Sequence, residues 1–172
     1  MFFFVSGAAW LEYYAFRIAG MRPLILAAIT LISLILLFVA YLRYRQHKPA
    51  LLAESPSPQQ KRVDRLFYIV VATEGVAIFI VGNVLINFGL SAWFIPAIIF
   101  IVGLHFLPLA HIFAYPPHYI SGAALIVLSV AYPLLAPSGP SSPIGCLAAG
   151  IMLWASAFWA ITTNKSLKLR IP

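Results

Sequence analysis

The stretch PLILAAITLISLILLFVAYL, Pro23–Leu42, runs for a full bilayer thickness without one charged side chain. A helix needs about 20 apolar residues to cross a hydrocarbon core of about 30 Å. Pro23 stands at the helix start, where its missing N–H does no harm. Composition extends the same constraint to the rest of the chain. Of 172 residues, 63% are hydrophobic and 9% charged, with a mean hydropathy of +0.98; a soluble domain carries roughly 25% charged residues. A water-soluble fold cannot hide this much apolar surface, so the bilayer is the natural solvent.

Further apolar runs follow. The expected spans are about 2–19, 23–42, 66–88, 93–113, 119–135 and 144–162, in a single membrane domain covering 1–172. Breaks at NFGLSA (87–92), AYPPH (114–118) and APSGPSSP (136–143) carry the Gly, Pro and Ser that end helices. The expected fold is therefore all-α, a polytopic transmembrane bundle of six spans. The first span holds Glu12 and Arg17, so a re-entrant or interfacial helix is its rival. MFFFVSGAAW lacks the basic n-region of a secretory signal, and an uncleaved first span is expected. Residue 2 is Phe and Cys146 is far from the C-terminus, so no lipidation motif is visible. A lone cysteine also excludes an internal disulfide framework.

Lysine and arginine set the orientation. Arg43, Arg45, Lys48, Lys61, Arg62 and Arg65 fall in the connection 43–65, and Lys165, Lys168 and Arg170 fall in the tail. Four spans separate these clusters, which puts both on one side, and the loops opposite, 87–92 and 136–143, contain no Lys or Arg. The positive-inside rule then makes both clusters, and both termini, cytoplasmic. Arg17 and Arg22 fall outside against the rule. Clustered between apolar runs, the net charge of +7 speaks for topology rather than nucleic acid. HKPALLAESPSPQQK (47–61) reads as a flexible cytoplasmic linker. Its flanking bases suit anionic lipid headgroups as well as topology.

Glu74 stands in VATEGVAIF (71–79), apolar on both sides. An ionisable group at mid-helix costs at least about 2.5 kcal/mol in a bilayer, so it normally faces a partner or a water-filled cavity. Counting about 1.5 Å per residue, Glu74 lies roughly 12 Å from the cytoplasmic end of its span, and His105 reaches a similar depth on the next, antiparallel span. A Glu74–His105 contact can share a proton and serve a relay, a coupled carrier or a gate; the bland alternative is that each fixes helix packing.

Other polar groups are weaker candidates. Asn83 and Asn87 share a helix face and point away from Glu74, towards a bond with another span. Gly75, Gly82 and Gly89 recur every seven residues as a small-residue seam. Glu12, with Tyr13, Tyr14 and Arg17 nearby, is a second buried carboxylate candidate. His105, His111 and His118 tempt a metal reading, but their spacing does not give the i, i+4 pair of ligands on one helix face, and neither metal nor cofactor is expected. Pro108 removes a backbone hydrogen bond close to His105 and is expected to bend the span. Trp93 suits the interfacial belt; Trp154 and Phe158 form an i, i+4 pair best read as packing.

EGVAIF (74–79), Asn83 and GLHFLPLA (103–110) resemble a pattern in small, uncharacterised bacterial multispan inner-membrane proteins that carry no family name. The resemblance covers residues 74–110, implies a helical bundle in the bacterial inner (plasma) membrane, and supplies no activity. Three functions compete. The first is a small carrier, channel or intramembrane ligand-binding bundle using Glu74 and His105. The second is an accessory or structural subunit, as a homo-oligomer or with a membrane-complex partner. A membrane-embedded enzyme comes third, because no nucleophile with a base in register is visible.

Overall fold

The computed structural model describes residues 2–20, 22–52 and 58–162. They form six helices: α1 (Phe2–Ala19), α2 (Pro23–Leu52), α3 (Pro58–Asn87), α4 (Phe94–Ile112), α5 (Pro117–Leu135) and α6 (Ile144–Thr162). Short 3-10 turns, Ser91–Trp93 and Gly139–Ser141, introduce α4 and α6, and there is no strand among the described residues. Four stretches are long and apolar enough to cross a membrane: Pro23–Leu42, Pro58–Asn87, Ser91–Ile112 and Pro117–Leu135. α6 is apolar over the shorter Ile144–Ala160. α1, which contains Glu12 and Arg17, is not among the four.

The connection over 43–65, in which 47–61 is expected to be a flexible cytoplasmic linker, is helical in its described parts. α2 continues to Leu52 and α3 begins at Pro58. Arg, Gln and Lys are good helix formers, Pro58 suits a first helical position, and no Gly or Pro stands where either helix passes from its apolar run to its charged residues. The Pro- and Ser-rich centre at 53–57 and the C-terminal bases Lys165, Lys168 and Arg170 lie outside the described residues. Pro108 does not interrupt α4, which is one continuous helix through it.

Packing partners give the helices a spatial order of α2, α1, α6, α5, α4, α3. Sequence neighbours α2 and α3 thus sit at opposite ends of the row. The core lies in its middle, where Ile99 and Phe106 of α4 meet Leu125 and Tyr132 of α5 and Ala149 and Leu153 of α6. α2 and α3 stay mostly uncovered: Leu24 and Phe38 on α2, and Tyr68 and Phe79 on α3, are exposed.

Two glycine-to-glycine crossings let the backbones in this core approach. A Cβ added to Gly122 would stand 2.8 Å from the Gly103 carbonyl oxygen, and one on Gly103 would stand 3.0 Å from the Gly122 carbonyl oxygen. α1 and α6 repeat the device: a Cβ on Gly150 would lie 3.0 Å from the Gly7 carbonyl oxygen. Small residues permit this close approach in membrane bundles.

The expected seam at Gly75, Gly82 and Gly89 does not form as one. Only Gly82 is in contact, with the Phe94 ring, while nothing lies within 4 Å of a Cβ placed on Gly75 or Gly89. Gly89 has a different task. At φ +72° it ends α3, with its N–H donated to the Ile86 carbonyl (3.1 Å) and that of Leu90 to the Leu85 carbonyl (2.7 Å). These two bonds make a Schellman cap, which needs the left-handed conformation glycine tolerates.

One face of the bundle, where helix ends meet, gathers three chain segments. The turn at Ser91–Trp93 packs against the turn at Gly139–Ser141, and Arg17 at the end of α1 donates a hydrogen bond to the Ser141 carbonyl at 3.3 Å. Arg17 is held locally too, donating to the Tyr13 hydroxyl at 3.2 Å.

Candidate functional site

On α3 the partly covered positions Val63, Phe67, Val70, Glu74, Ala77 and Val81 recur every three or four residues. That spacing makes one stripe along a helix, and α4 is the helix that α3 packs against. Glu74 is the single polar side chain in the stripe. Across from it on α4, His105 is buried among Gly103, Phe106 and Leu109. Its Nδ1 lies 3.2 Å from Glu74 Oε2, with side-chain exposures of 5% for His105 and 14% for Glu74. The His105 ring also lies against the Val70 backbone, one turn before Glu74.

The contact has ion-pair distance, but Nδ1 makes no aligned hydrogen bond in this arrangement. Such bonds commonly tighten only when a ligand or proton arrives. Chemically, a carboxyl and an imidazole side by side can exchange a proton, or hold a cation or hydrogen-bonding solute between them.

Below the pair, towards the turn between α4 and α5, His118 is buried and Tyr115 is half-buried. The edge of the Phe106 ring meets His118, with centroids 5.5 Å apart, and His118 meets Tyr115 at 4.7 Å. The Tyr115 hydroxyl is buried with no hydrogen-bond partner on the protein, and burial pushes its phenol above the ordinary tyrosine range. This aromatic and imidazole cluster adjoins the Glu74–His105 contact through Phe106. Sequence reasoning missed Tyr115; its place beside the PP dipeptide, which folds the chain back, was the available signal.

The remaining candidates lie elsewhere. Asn83 is exposed and donates to the Phe79 carbonyl of its own helix at 2.7 Å, instead of bonding across to another span. With one turn of its own helix as acceptor, it needs no neighbour. Asn87 is exposed at the end of α3. Glu12 faces α2, where the Thr30 hydroxyl donates to its Oε1 at 2.7 Å; Tyr13 and Arg17 bond to each other instead. Neither asparagine nor Glu12 joins the Glu74–His105 contact. His111 is exposed at the end of α4, apart from buried His105 and His118. Among the described residues no three His, Cys, Asp or Glu side chains converge as metal ligands would.

Two interhelical features had no sequence signal beyond small polar residues in apolar runs. Ser121 of α5 donates to the Ser156 hydroxyl of α6 at 3.0 Å, beside a cleft of about 190 Å³ that Met152 and Trp159 help to line. The Trp154 ring covers Gly7, so this tryptophan fills the α1–α6 crossing. Comparison of the chain with protein-family models, with curated proteins and with solved structures gave no match.

Proposed function

We propose that the chain is an integral protein of the bacterial inner membrane in which all six helices cross the bilayer, and that it works as a small carrier or channel whose proton- or ligand-binding site is the Glu74–His105 pair. The observation that carries this reading is the 3.2 Å approach of two ionisable side chains from adjacent helices, within a chain whose outer helices are apolar on their exposed faces. Structural polar groups in membrane helices are commonly satisfied by their own backbone, as Asn83 and Thr73 are here. Glu74 and His105 instead face each other across a helix interface, the arrangement of intramembrane relays and coupling sites.

The six-span topology draws support from the face of the bundle that gathers Arg17 and the two turns. In six alternating crossings, the end of α1, the α3–α4 connection and the α5–α6 connection all emerge on one face. The basic loop then emerges on the other, which the positive-inside rule makes cytoplasmic.

The test uses protons as the probe. Purified protein is reconstituted into liposomes loaded with a pH-sensitive dye, and decay of an imposed pH gradient is followed under a clamped membrane potential. The wild-type protein should speed the decay over empty vesicles, and Glu74→Gln, with its melting temperature retained, should abolish that gain. Wild-type flux equal to empty vesicles, or a Glu74→Gln variant as fast as wild type, returns the pair to a packing role and favours the accessory-subunit reading.

A further inference from the structure

α3 is longer than the helix it packs against, and the excess sits at a defined height. α4 has 19 residues, about 28 Å at ~1.5 Å per residue, which matches a hydrocarbon core of about 30 Å. Its last turn is level with Phe67, whose ring lies 5.8 Å, centroid to centroid, from that of Phe113. The α3 residues before Phe67 therefore project past the hydrocarbon boundary. Arg62, five residues earlier, stands about 7 Å above it, within a headgroup layer about 5–7 Å deep on each side.

At this height an open groove of about 600 Å³ runs between the overhang of α3 and the end of α4, lined by Pro58, Gln59, Arg62, Val63, Leu66, His111 and Ile112. Its lining changes with height along α3: Leu66 and Val63 stand nearest the hydrocarbon and Arg62 and Gln59 above them, while His111 and Ile112 close the groove from the end of α4. Outside the groove, Lys61 and Arg65 add positive charge in the first two turns of α3 against one acid there, Asp64.

We propose that this groove seats one anionic phospholipid, its phosphodiester on Arg62, its glycerol esters beside His111 and its upper acyl carbons on Val63, Leu66 and Ile112. Arg presents a planar fork of donors that matches two phosphate oxygens at once. Its aliphatic stem lies along apolar surface while its head stays at the interface. The surrounding bases select an anionic lipid over a zwitterionic one, because a headgroup ammonium would be placed against Lys61 and Arg65. The assignment is independent of the role given to Glu74 and His105.

The experiment is native mass spectrometry of the full-length protein, released from mild detergent after incubation with equal amounts of phosphatidylglycerol and phosphatidylcholine. Wild type should retain one phosphatidylglycerol in preference to phosphatidylcholine. Arg62→Gln should reduce that retention about tenfold. Lys61→Gln removes the same charge one residue outside the groove and should reduce it by no more than the roughly fivefold expected of a single diffuse surface charge. Val63→Trp fills the groove without altering charge and should also expel the lipid. Equal losses from Lys61→Gln and Arg62→Gln would mean a diffuse basic surface and overturn the site, as would equal retention of the two lipids or full retention in Val63→Trp.

Discussion

Glu74 on α3 and His105 on α4 meet at 3.2 Å because they lie nearly equidistant from the turn joining their helices. Glu74 precedes the end of α3 at Asn87 by about 20 Å of helix, and His105 follows the start of α4 at Phe94 by about 17 Å. An antiparallel hairpin brings such positions to one level, and the three-and-four spacing that carries Glu74 on the α3 stripe aims it at α4.

The energetic consequence is a coupling between the two positions. Removing one member leaves the other buried without its partner, which costs about 3–5 kcal/mol when the remaining group is charged. Replacing both by apolar residues removes the problem. Glu74→Leu and His105→Leu should each lower unfolding stability in detergent, and the double variant should recover most of the loss, for a coupling of about 3 kcal/mol or more. Additive losses would mean that the two side chains are neighbours without being partners.

The glycines separate sharply into those that carry packing and those that do not. At Gly122 a methyl group would meet the Gly103 carbonyl oxygen at 2.8 Å, and backbone cannot rotate away as a side chain can. Gly122→Ala should therefore cost about 1–3 kcal/mol by overpacking. Gly75, in the interior of α3, has nothing within 4 Å of the added Cβ. Gly75→Ala should stabilise by about 0.5–1 kcal/mol through helix propensity. Thermal unfolding of the two variants side by side checks both signs, and a stabilised Gly122→Ala would refute the backbone crossing.

These two glycines also mark what the sequence could reveal. Helix existence was legible throughout, because apolar runs of bilayer length bounded by Gly and Pro admit few alternatives. The depth match of Glu74 and His105 was legible as well, since adjacent antiparallel spans fix relative height by counting. Lateral neighbours were not legible. The row that places α1 against α6, and so Gly7 on Gly150, joins segments far apart in sequence, and no periodicity within either helix encodes it. The heptad-like spacing of Gly75, Gly82 and Gly89 misled for a related reason: spacing puts residues on one face but does not say that a helix covers that face. The linker expected over 47–61 is helical at both of its described ends for a different reason, because charged residues end an apolar run without ending a helix.

Thr30 tethers α1 to α2 through its single hydroxyl, which stands 2.7 Å from Glu12 Oε1 and 2.9 Å from the Leu26 carbonyl. Thr30→Val keeps the shape and removes the donor, leaving Glu12 without this bond. The variant should lose about 1 kcal/mol, or more if the carboxylate is charged, whereas Thr30→Ser should stay near wild type. Equal stabilities for Thr30→Val and Thr30→Ser in a thermal melt would show that water serves Glu12 as well as the hydroxyl does.

Accessibility labelling reads the topology directly. Cys146 is 1% exposed and should stay silent, so single cysteines can be introduced without removing it. Ser91 and Ser141 sit on the two turns that pack together and are exposed, as is Gln59 on the α3 overhang. In intact cells a membrane-impermeant maleimide should label Ser91→Cys and Ser141→Cys, while Gln59→Cys should react only after permeabilisation. A tag placed ahead of α1 should behave like Gln59→Cys, since Arg17 at the other end of that helix bonds to Ser141 at the labelled face. A tag reactive from outside would make α1 re-entrant, and the carboxyl of Glu12 would then belong to one leaflet rather than to the interior of a crossing helix.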